Sequence, residues 1–371
     1  MKTRILGRMG ATVSSISLGT EYLIHKPQEH VDAVVHRAIE RGINYFDVFF
    51  GQGFVRDIYG KAFAGYRDRV MLSAHLGAIE QDGESGRTRD PELAETYLED
   101  YLRRFATDYV DVLFLHNIDA QDDYDTVMAP GGLADLAQRL RDQGKARAIG
   151  YSGHTVSTAR QAVESGLIDV LMFPVNLGAH GVPGRRELYQ SCAARNVGIV
   201  AMKPFAGGRL LQKETQVSLE FWQTGGGGST LEKRDSITPV QCLHYVLSQV
   251  GLSTTVPGCA DIDQLDAALA YYDATEEERD FSGLLTSFEQ YQPGECVYCN
   301  HCLPCPQGIN VGQVNRLLDM GRFQMTDELS AMYRGLAANA SDCIQCGSCE
   351  ANCPFGVAVI DRMVEADALF G

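Results

Sequence analysis

Eight of the eleven cysteines lie in two short runs in the last quarter of the chain. The first run is Cys296, Cys299, Cys302 and Cys305, and the second is Cys343, Cys346, Cys349 and Cys353. A proline follows the last cysteine of each run. Thiolates separated by two residues can surround one compact inorganic cluster, and the proline turns the chain away from it. The spacing therefore predicts thiolate-bound metal.

The two runs are close in spacing to those with which bacterial ferredoxins hold two [4Fe–4S] clusters, the fourth cysteine of each run ligating the other cluster. On this rule we expect one cluster on Cys296, Cys299, Cys302 and Cys353, and the second on Cys343, Cys346, Cys349 and Cys305. Zinc is an alternative, because paired C-x2-C motifs also form tetrahedral thiolate sites. Disulfides are another. Two runs of four cysteines fit two [4Fe–4S] clusters better.

The formal net charge of −16 argues against nucleic acid and anionic membranes as partners, because like charges repel. The sequence has no apolar N-terminal targeting segment and no apolar run long enough to cross a bilayer. A cysteine-rich chain of this kind is typical of a metal protein in a reducing compartment. We therefore expect a cytoplasmic protein from an anaerobic host.

Before the cysteines, strand-like and helical patterns alternate regularly. The predicted strands are Ile16–Thr20, Asn44–Asp47, Val70–Ala74, Tyr109–Leu115, Ala146–Ile149, Val170–Phe173, Gly198–Met202 and Thr254–Val256. Strands separated by single helices pair in parallel through right-handed crossovers. Eight such units favour an α/β fold of the (β/α)8 TIM-barrel type, with an open doubly wound sheet as the alternative.

The remaining segments complete the predicted architecture. Residues 4–13 look like a hairpin that plugs the bottom of the barrel, and the loops at 81–89 and 207–236 are candidate lids over its mouth. A barrel domain over residues 1–283 is then followed by a small, mostly helical, ferredoxin-like domain binding two clusters over residues 284–371.

Several barrel motifs resemble the aldo-keto reductase superfamily. They are Arg4–Gly7, Leu18–Thr20, Gly42–Asp47, Asp108–Asp111 leading to Leu115-His116, and Ile149–Ser152. Ser152–His154, Val200–Pro204 and the cysteine runs are similar to the iron–sulfur branch of that superfamily. The resemblance covers nearly all of residues 1–272 and implies the same (β/α)8 barrel.

The resemblance also implies a catalytic set of Asp, Tyr, Lys and His, in which the tyrosine protonates a carbonyl while a nicotinamide delivers hydride. Asp47 and His116 match the aspartate and the histidine, whereas Gln52 and His75 replace the tyrosine and the lysine. Gln52 can polarise a carbonyl but cannot release a proton at useful pH. Histidine exchanges protons near neutral pH, so His75, oriented by Asp47, is the candidate acid. The alternative is a buried polar pair left from a lost reaction.

The positions that the resemblance assigns to a nicotinamide cofactor, NADP(H) or NAD(H), are Gly19, Thr20, Ser152, Lys203 and Gly258. The segment after the eighth strand carries no cation, and its Asp261 would repel a 2′-phosphate. Backbone amides near Gly258 could still hold a phosphate at the start of the next helix.

Our leading hypothesis is an iron–sulfur oxidoreductase that acts on a small polar or carbonyl-bearing substrate and exchanges electrons with an external carrier. One alternative is an electron-transfer or redox-responsive subunit, favoured by the altered catalytic set. A lyase or isomerase that uses the histidines without net redox change is another. Tyr22, just beyond the first strand, and Tyr59, on the helix after the second, are further phenols, and we expect Tyr59 to pack in the core. His154 and His180 are candidates to line the barrel mouth.

Overall fold

A barrel of eight parallel strands is the central feature of the fold. The computed structural model describes residues 1–81, 83–211, 216–218, 230–232, 237–285, 296, 302–323, 325–353 and 356–371. Strands β1–β8 are Leu18–Gly19, Tyr45–Asp47, Met71–Leu76, Val110–Leu115, Ala146–Ser152, Val170–Pro174, Gly198–Met202 and Leu252–Val256. Each pairs in parallel with the next along the chain, which confirms the predicted strand order.

The first and last strands close this sheet into a barrel. Parallel bridges join Ile16 to Thr255 and Gly19 to Gly258. The Ser17 amide also donates to the Thr255 carbonyl at 2.8 Å. Because the edges satisfy each other's backbone groups, the open-sheet alternative is excluded.

An N-terminal hairpin fills the bottom of the barrel, as predicted. Thr3–Ile5 pairs antiparallel with Thr12–Ser14. Leu6 and Val13 are fully buried and belong to the apolar cluster inside the barrel, which includes Phe114. Their burial removes apolar side chains from water at the N-terminal strand ends and leaves the opposite end for chemistry.

Helices surround the barrel strands. They are α1 (Gln28–Glu40), α2 (Gly53–Ala62), α3 (Pro91–Arg104), α4 (Gln121–Met128), α5 (Leu133–Asp142), α6 (Val156–Glu164), α7 (Arg185–Ala194), α8 (Pro239–Ser248) and α9 (Ile262–Leu269). The start of α3 follows from its sequence, since Asp90 accepts the Glu92 amide at 2.9 Å and Pro91 occupies the first turn. No helix among the described residues is long and apolar enough to span a membrane.

The loop after β3 is a short hairpin, not an irregular lid. Ala78–Gln81 pairs antiparallel with Glu84–Arg87, so most of the predicted lid at 81–89 is strand. The hairpin lies beside the barrel mouth, where it contributes Ser85 and Gly86 to a cavity wall. Most of the second predicted lid, at 207–236, lies outside the described residues, as does its Trp222.

The C-terminal segment is mostly helical, as predicted. Two short helices, α10 (Glu276–Arg279) and α11 (Ser282–Leu285), lead to α12 (Val311–Phe323), α13 (Asp327–Arg334), α14 (Ser348–Ala351) and α15 (Val359–Phe370). Helix α12 packs against α7 of the barrel and against α15. The predicted domain boundary at 283/284 falls within α11 and stays a prediction.

One buried carboxylate joins the two parts of the chain. Asp319 of α12 accepts Arg362 at 2.7 Å, Arg322 at 3.1 Å and, from α7 of the barrel, Arg186 at 3.4 Å. The Asp319 side chain is 4% exposed. Because water cannot replace these partners, Asp319 fixes the helical segment against the barrel.

Candidate functional site

The main cavity opens at the C-terminal ends of the barrel strands and measures about 870 Å³. Eight of the nine catalytic and cofactor-binding residues predicted from the sequence line it, namely Gly19, Thr20, Asp47, His75, His116, Ser152, Lys203 and Gly258, whereas Gln52 does not. Phe49, Met172, Met202 and Phe205 contribute apolar wall. A cavity with apolar walls and a few convergent polar groups is the usual form of a small-molecule site.

A chain of three side chains crosses one side of this cavity. The Nε2 atom of His75 lies 3.1 Å from Oδ1 of Asp47, and its Nδ1 atom lies 3.0 Å from Nδ1 of His116. The hydroxyl of Ser73 also donates to Asp47 Oδ1 at 2.6 Å. These residues come from β2, β3 and the end of β4, so neighbouring strands place them side by side. Asp47 and His75 are 5% and 7% exposed.

The surroundings keep His116 neutral. Burial, and then the positive electrostatic influence of His75, Arg89 and Arg87, lower the pKa of His116 well below its ordinary value. His75 also contacts Phe114, with ring centroids 5.0 Å apart. A neutral His116 can pass a proton between its two nitrogens without holding a charge.

Gln52 lies beside the cavity wall. Its amide nitrogen donates to the Ser85 hydroxyl at 2.9 Å, and its Oε1 atom accepts from the same hydroxyl at 3.1 Å. The side chain is 5% exposed. Gln52 thus holds the hairpin of residues 78–87 in place, and its role in polarising a carbonyl stays a prediction.

A second polar chain lines the same cavity. The Nζ atom of Lys203 lies 2.9 Å from Nε2 of His154, whose Nδ1 atom lies 3.0 Å from Oδ2 of Asp119. His154 was predicted to line the mouth. Asp119 was missed, although a carboxylate just after β4 falls at the catalytic end of the barrel. His180, by contrast, lies in a separate pocket and contacts Tyr245.

The other residues singled out in the sequence have structural roles. The Tyr59 hydroxyl donates to the Thr20 carbonyl at 2.6 Å, so this phenol is buried in packing. Tyr22 packs over Gly258, where any side chain would overlap its ring. Cys259 is buried at the cavity edge, and burial followed by the nearby Asp261 raises its pKa to about 12. That thiol is therefore not nucleophilic at neutral pH.

The residues fit a nicotinamide dinucleotide only in part. Gly19, Thr20, Ser152 and Lys203 line the same cavity as His75. At the start of α9, however, Asp261 accepts the Gln264 amide at 2.8 Å, and the Gln264 side chain accepts the Ala260 amide at 3.0 Å. Side chains of the protein thus occupy amides that a phosphate would use. Nicotinamide binding stays a prediction from the family.

The second cysteine run surrounds a small pocket. Cys305, Cys343, Cys346 and Cys349 line it together, although Cys305 is distant from the other three in sequence. Positive φ angles at Gln345 (53°) and Gly347 (78°) curl the backbone between these thiols. This is the set of four expected for one cluster, and its grouping fits a [4Fe–4S] ligand set.

The described cysteines are also compared with the zinc and disulfide alternatives. No disulfide joins any of the ten cysteines that the structure describes. Among the described residues, no group of three or more His, Cys, Asp or Glu side chains is placed so that it could hold a single metal ion. Cys299 and His301, which belong to the first run, lie outside the described residues.

A closed parallel barrel with polar residues at its C-terminal end is a common enzyme scaffold, and a cysteine-lined pocket suits thiolate-bound metal. Residues 15–284 match the Aldo/keto reductase family, and residues 295–358 match a 4Fe-4S dicluster domain. The chain therefore belongs to the aldo/keto reductase family and carries a 4Fe-4S domain after its barrel.

Individual relatives agree with this assignment. An uncharacterized oxidoreductase, YqkF, of Bacillus subtilis (strain 168) is 25% identical over 298 residues, which cover 75% of this chain and 94% of that protein. The aldo-keto reductase AKR11C1 from Bacillus halodurans, in its holo form, is 23% identical with a TM-score of 0.60, covering 75% of this chain and 94% of that one. The putative aldo-keto reductase PA4992 from Pseudomonas aeruginosa is 21% identical with a TM-score of 0.57, covering 73% and 92%. These structures support the fold.

Proposed function

We propose that the barrel interconverts a carbonyl and the corresponding alcohol, with Asp47, His75 and His116 as the proton path. The observation that carries this proposal is the continuous chain from Asp47 through both nitrogens of His75 to His116 at the cavity wall. It takes the place of the tyrosine and lysine that the sequence lacks.

The order in which Asp47, His75 and His116 are hydrogen-bonded supports a role for His116 in contacting the substrate. Both ring nitrogens of His75 are engaged, one by Asp47 and the other by His116. The remaining ring nitrogen of this pair is Nε2 of His116, which lines the cavity. We therefore assign proton donation to His116 Nε2. His75 then supplies the replacement proton to His116 Nδ1.

The proton movements balance in the direction of reduction. His116 Nε2 gives its proton to the carbonyl oxygen, and His116 Nδ1 takes a proton from Nδ1 of the His75 imidazolium. His75 is left neutral, with its Nε2 proton still donated to Asp47. Reduction of C=O to CH–OH adds two electrons and two protons overall: NADH or NADPH, when bound, would supply the hydride to carbon, which carries both electrons, and this relay supplies the proton on oxygen. Because His116 exchanges one proton for another, it never carries a charge, in agreement with its lowered pKa.

We also propose two [4Fe–4S] clusters in the C-terminal domain, with the ligand sets predicted from the sequence. The grouping of Cys305 with the second run supports one set. When bound, such clusters transfer single electrons, so an external one-electron carrier is the proposed partner. Anaerobic protein should contain roughly eight irons and eight sulfides per chain. About one zinc per run, without sulfide, would contradict the proposal.

Turnover tests the function. A panel of aldehydes, ketones and 2-oxo acids is supplied with NADH, NADPH or dithionite-reduced carrier, and product alcohol is measured. We expect alcohol formation that falls about 100-fold or more in His116→Phe. Exposed Arg103→Gln serves as the control, since it lies far from the cavity on α3. Alcohol formation by His116→Phe at the rate of the unmodified protein would contradict the proposal.

A second candidate function is an electron-transfer subunit that binds no nicotinamide. The occupied amides at the start of α9 favour it. Titration with NADH and NADPH separates the two functions. Reversible cluster reduction by a carrier, with no nicotinamide binding and no alcohol from the panel, would favour the subunit.

A further inference from the structure

The chain Lys203–His154–Asp119 has the construction of a positioned cation. Asp119 Oδ2 lies 3.0 Å from His154 Nδ1, which places the ring proton there and leaves Nε2 as an acceptor. The Lys203 ammonium donates to that acceptor at 2.9 Å. Asp119 also accepts the backbone amides of His154 and Thr155. The histidine is therefore fixed in the tautomer that holds the lysine.

The backbone at Lys203 is also constrained. Its φ of 57° is unusual for a residue with a side chain. The Asn176 side chain donates to the Lys203 carbonyl at 3.2 Å, and the Ala206 amide donates to it at 3.0 Å. Such conformations are strained and persist where the surroundings enforce them, which happens most often at functional sites.

Lys203 lines the same cavity as His75 and His116. Its partner His154 is one of the groups whose electrostatic influence lowers the pKa of His116, so the lysine–histidine pair and the relay belong to one electrostatic environment. Among the described residues that line the cavity, Lys203 and Arg87 carry the permanent positive charges. Arg87 is half-exposed and pairs with Asp123 at 3.5 Å. The cation deeper in the wall is Lys203.

We propose that Lys203, in place of the nicotinamide role that the resemblance implies for it, binds the carboxylate of an oxo-acid substrate whose carbonyl faces His116. The inference rests on the proposed function, because it places the carbonyl at the relay and the neighbouring carboxylate at Lys203. Lys203 is then the specificity-determining residue, whereas His154 and Asp119 are positioning residues. The ligand class is a 2-oxo or 3-oxo carboxylate and the corresponding hydroxy acid.

The electrostatics agree with this arrangement. Burial lowers the pKa of Lys203, while the carboxylates of Glu21 and Asp119 act to raise it. A bound carboxylate would favour the ammonium further and compensate for its burial. Glu21, at the exposed rim, disfavours a second negative charge there, so the site suits a ligand with one carboxylate.

Binding of matched probes tests the inference without turnover. Benzoylformate and its neutral methyl ester share the 2-oxo group and the aromatic ring and differ in charge. Their dissociation constants are measured anaerobically by calorimetry on the full, cluster-loaded chain without reductant. We expect benzoylformate to bind at least tenfold more tightly than the ester. Lys203→Met should remove that preference, weakening benzoylformate binding tenfold or more and ester binding less than twofold.

Further variants separate the roles. Asp119→Asn should reduce the preference by about threefold to tenfold, because it loosens His154 while keeping the lysine. Lys61→Met, on the exposed side of α2, should change neither constant. Circular dichroism and cluster absorbance verify that each variant is folded. If Lys203→Met does not fold, Asp119→Asn alone decides the outcome.

Equal binding of the two probes, no binding of benzoylformate, or equal weakening of both by the deciding variant would overturn the inference. Its failure is distinguishable from failure of the proposed function. Charge-selective binding without alcohol formation from any carbonyl would refute the reductase and leave the anion site standing. Reduction of neutral carbonyls with no charge preference would do the reverse.

Discussion

Asp47→Asn tests the proton relay while keeping its shape. The amide has the same size as the carboxylate, and its oxygen can still accept from His75 Nε2 and from the Ser73 hydroxyl. What disappears is the negative charge 3.1 Å from the imidazole. In the proposed relay this charge holds the transferable proton on His75, so its loss leaves a smaller fraction of the protein with a proton to give.

The expected loss follows from that distance. At an effective dielectric constant of about 20, two unit charges 3.1 Å apart attract by roughly 5 kcal/mol, an upper bound for the pair. Burial of both groups offsets part of this attraction. A net loss of about 3 kcal/mol corresponds to roughly a 100-fold decrease in rate.

The assay measures kcat and KM for the best carbonyl substrate of the panel, under anaerobic conditions and with saturating reductant. We expect kcat to fall about 100-fold, with KM changed less than threefold, since Asp47 acts on the proton and not on the bound substrate. Ser73→Ala is the matched control, because it removes a neutral hydrogen bond to the same oxygen and should cost about tenfold or less. An Asp47→Asn enzyme within twofold of the unmodified rate would refute the relay.

Three other predictions concern stability and the clusters. Asp319→Asn should lower the free energy of unfolding by about 3 kcal/mol, because three arginines, of which Arg362 is the most buried, lose the buried carboxylate that they share, whereas exposed Asp361→Asn should change it by less than 0.5 kcal/mol; chemical denaturation measures both. Cys305→Ser should lower iron from about eight to about four per chain while the first-run cluster signal persists; loss of both clusters or of neither would contradict the ligand sets. Burial lowers the pKa of His180 and of His244 to about 4. Their contribution to the free energy of unfolding is therefore fully present above about pH 6.5, and it falls by up to about 3 kcal/mol per histidine as the pH drops toward 4. Denaturation midpoints at pH 7 and pH 4.5 check this, and the double variant His180→Gln/His244→Gln should show a smaller difference between the two midpoints, the part that remains including the contribution of His116, whose pKa is also lowered.

The barrel could be predicted because its strands are buried apolar runs separated by amphipathic helices. The C-terminal helix α15 was not predicted. Its apolar residues are buried through packing against α12, and this contact cannot be seen in the sequence of α15 alone. The hairpin of residues 78–87 was likewise assigned as a loop, because its glycine-rich, charged sequence lacks a strand pattern. Its pairing is local, with Ala78 opposite Arg87.

The sequence predicts which residues form the site, but it does not predict how they are hydrogen-bonded to one another. Asp47, His75 and His116 follow from the strand ends and from the resemblance, yet the sequence favoured His75 as the acid. Only the side-chain directions show both nitrogens of His75 engaged and His116 next to the cavity. Asp119 was missed for a similar reason, because its importance depends on contacts with His154 that no spacing indicates.

An anaerobic crystal structure of the cluster-loaded protein with benzoylformate would show which residues bind the carbonyl and the carboxylate. We expect the oxo oxygen within about 3 Å of His116 Nε2, at hydrogen-bonding distance, and the carboxylate at the Lys203 ammonium. A carbonyl placed away from His116, for example on the Gln52 side chain, would contradict this expectation.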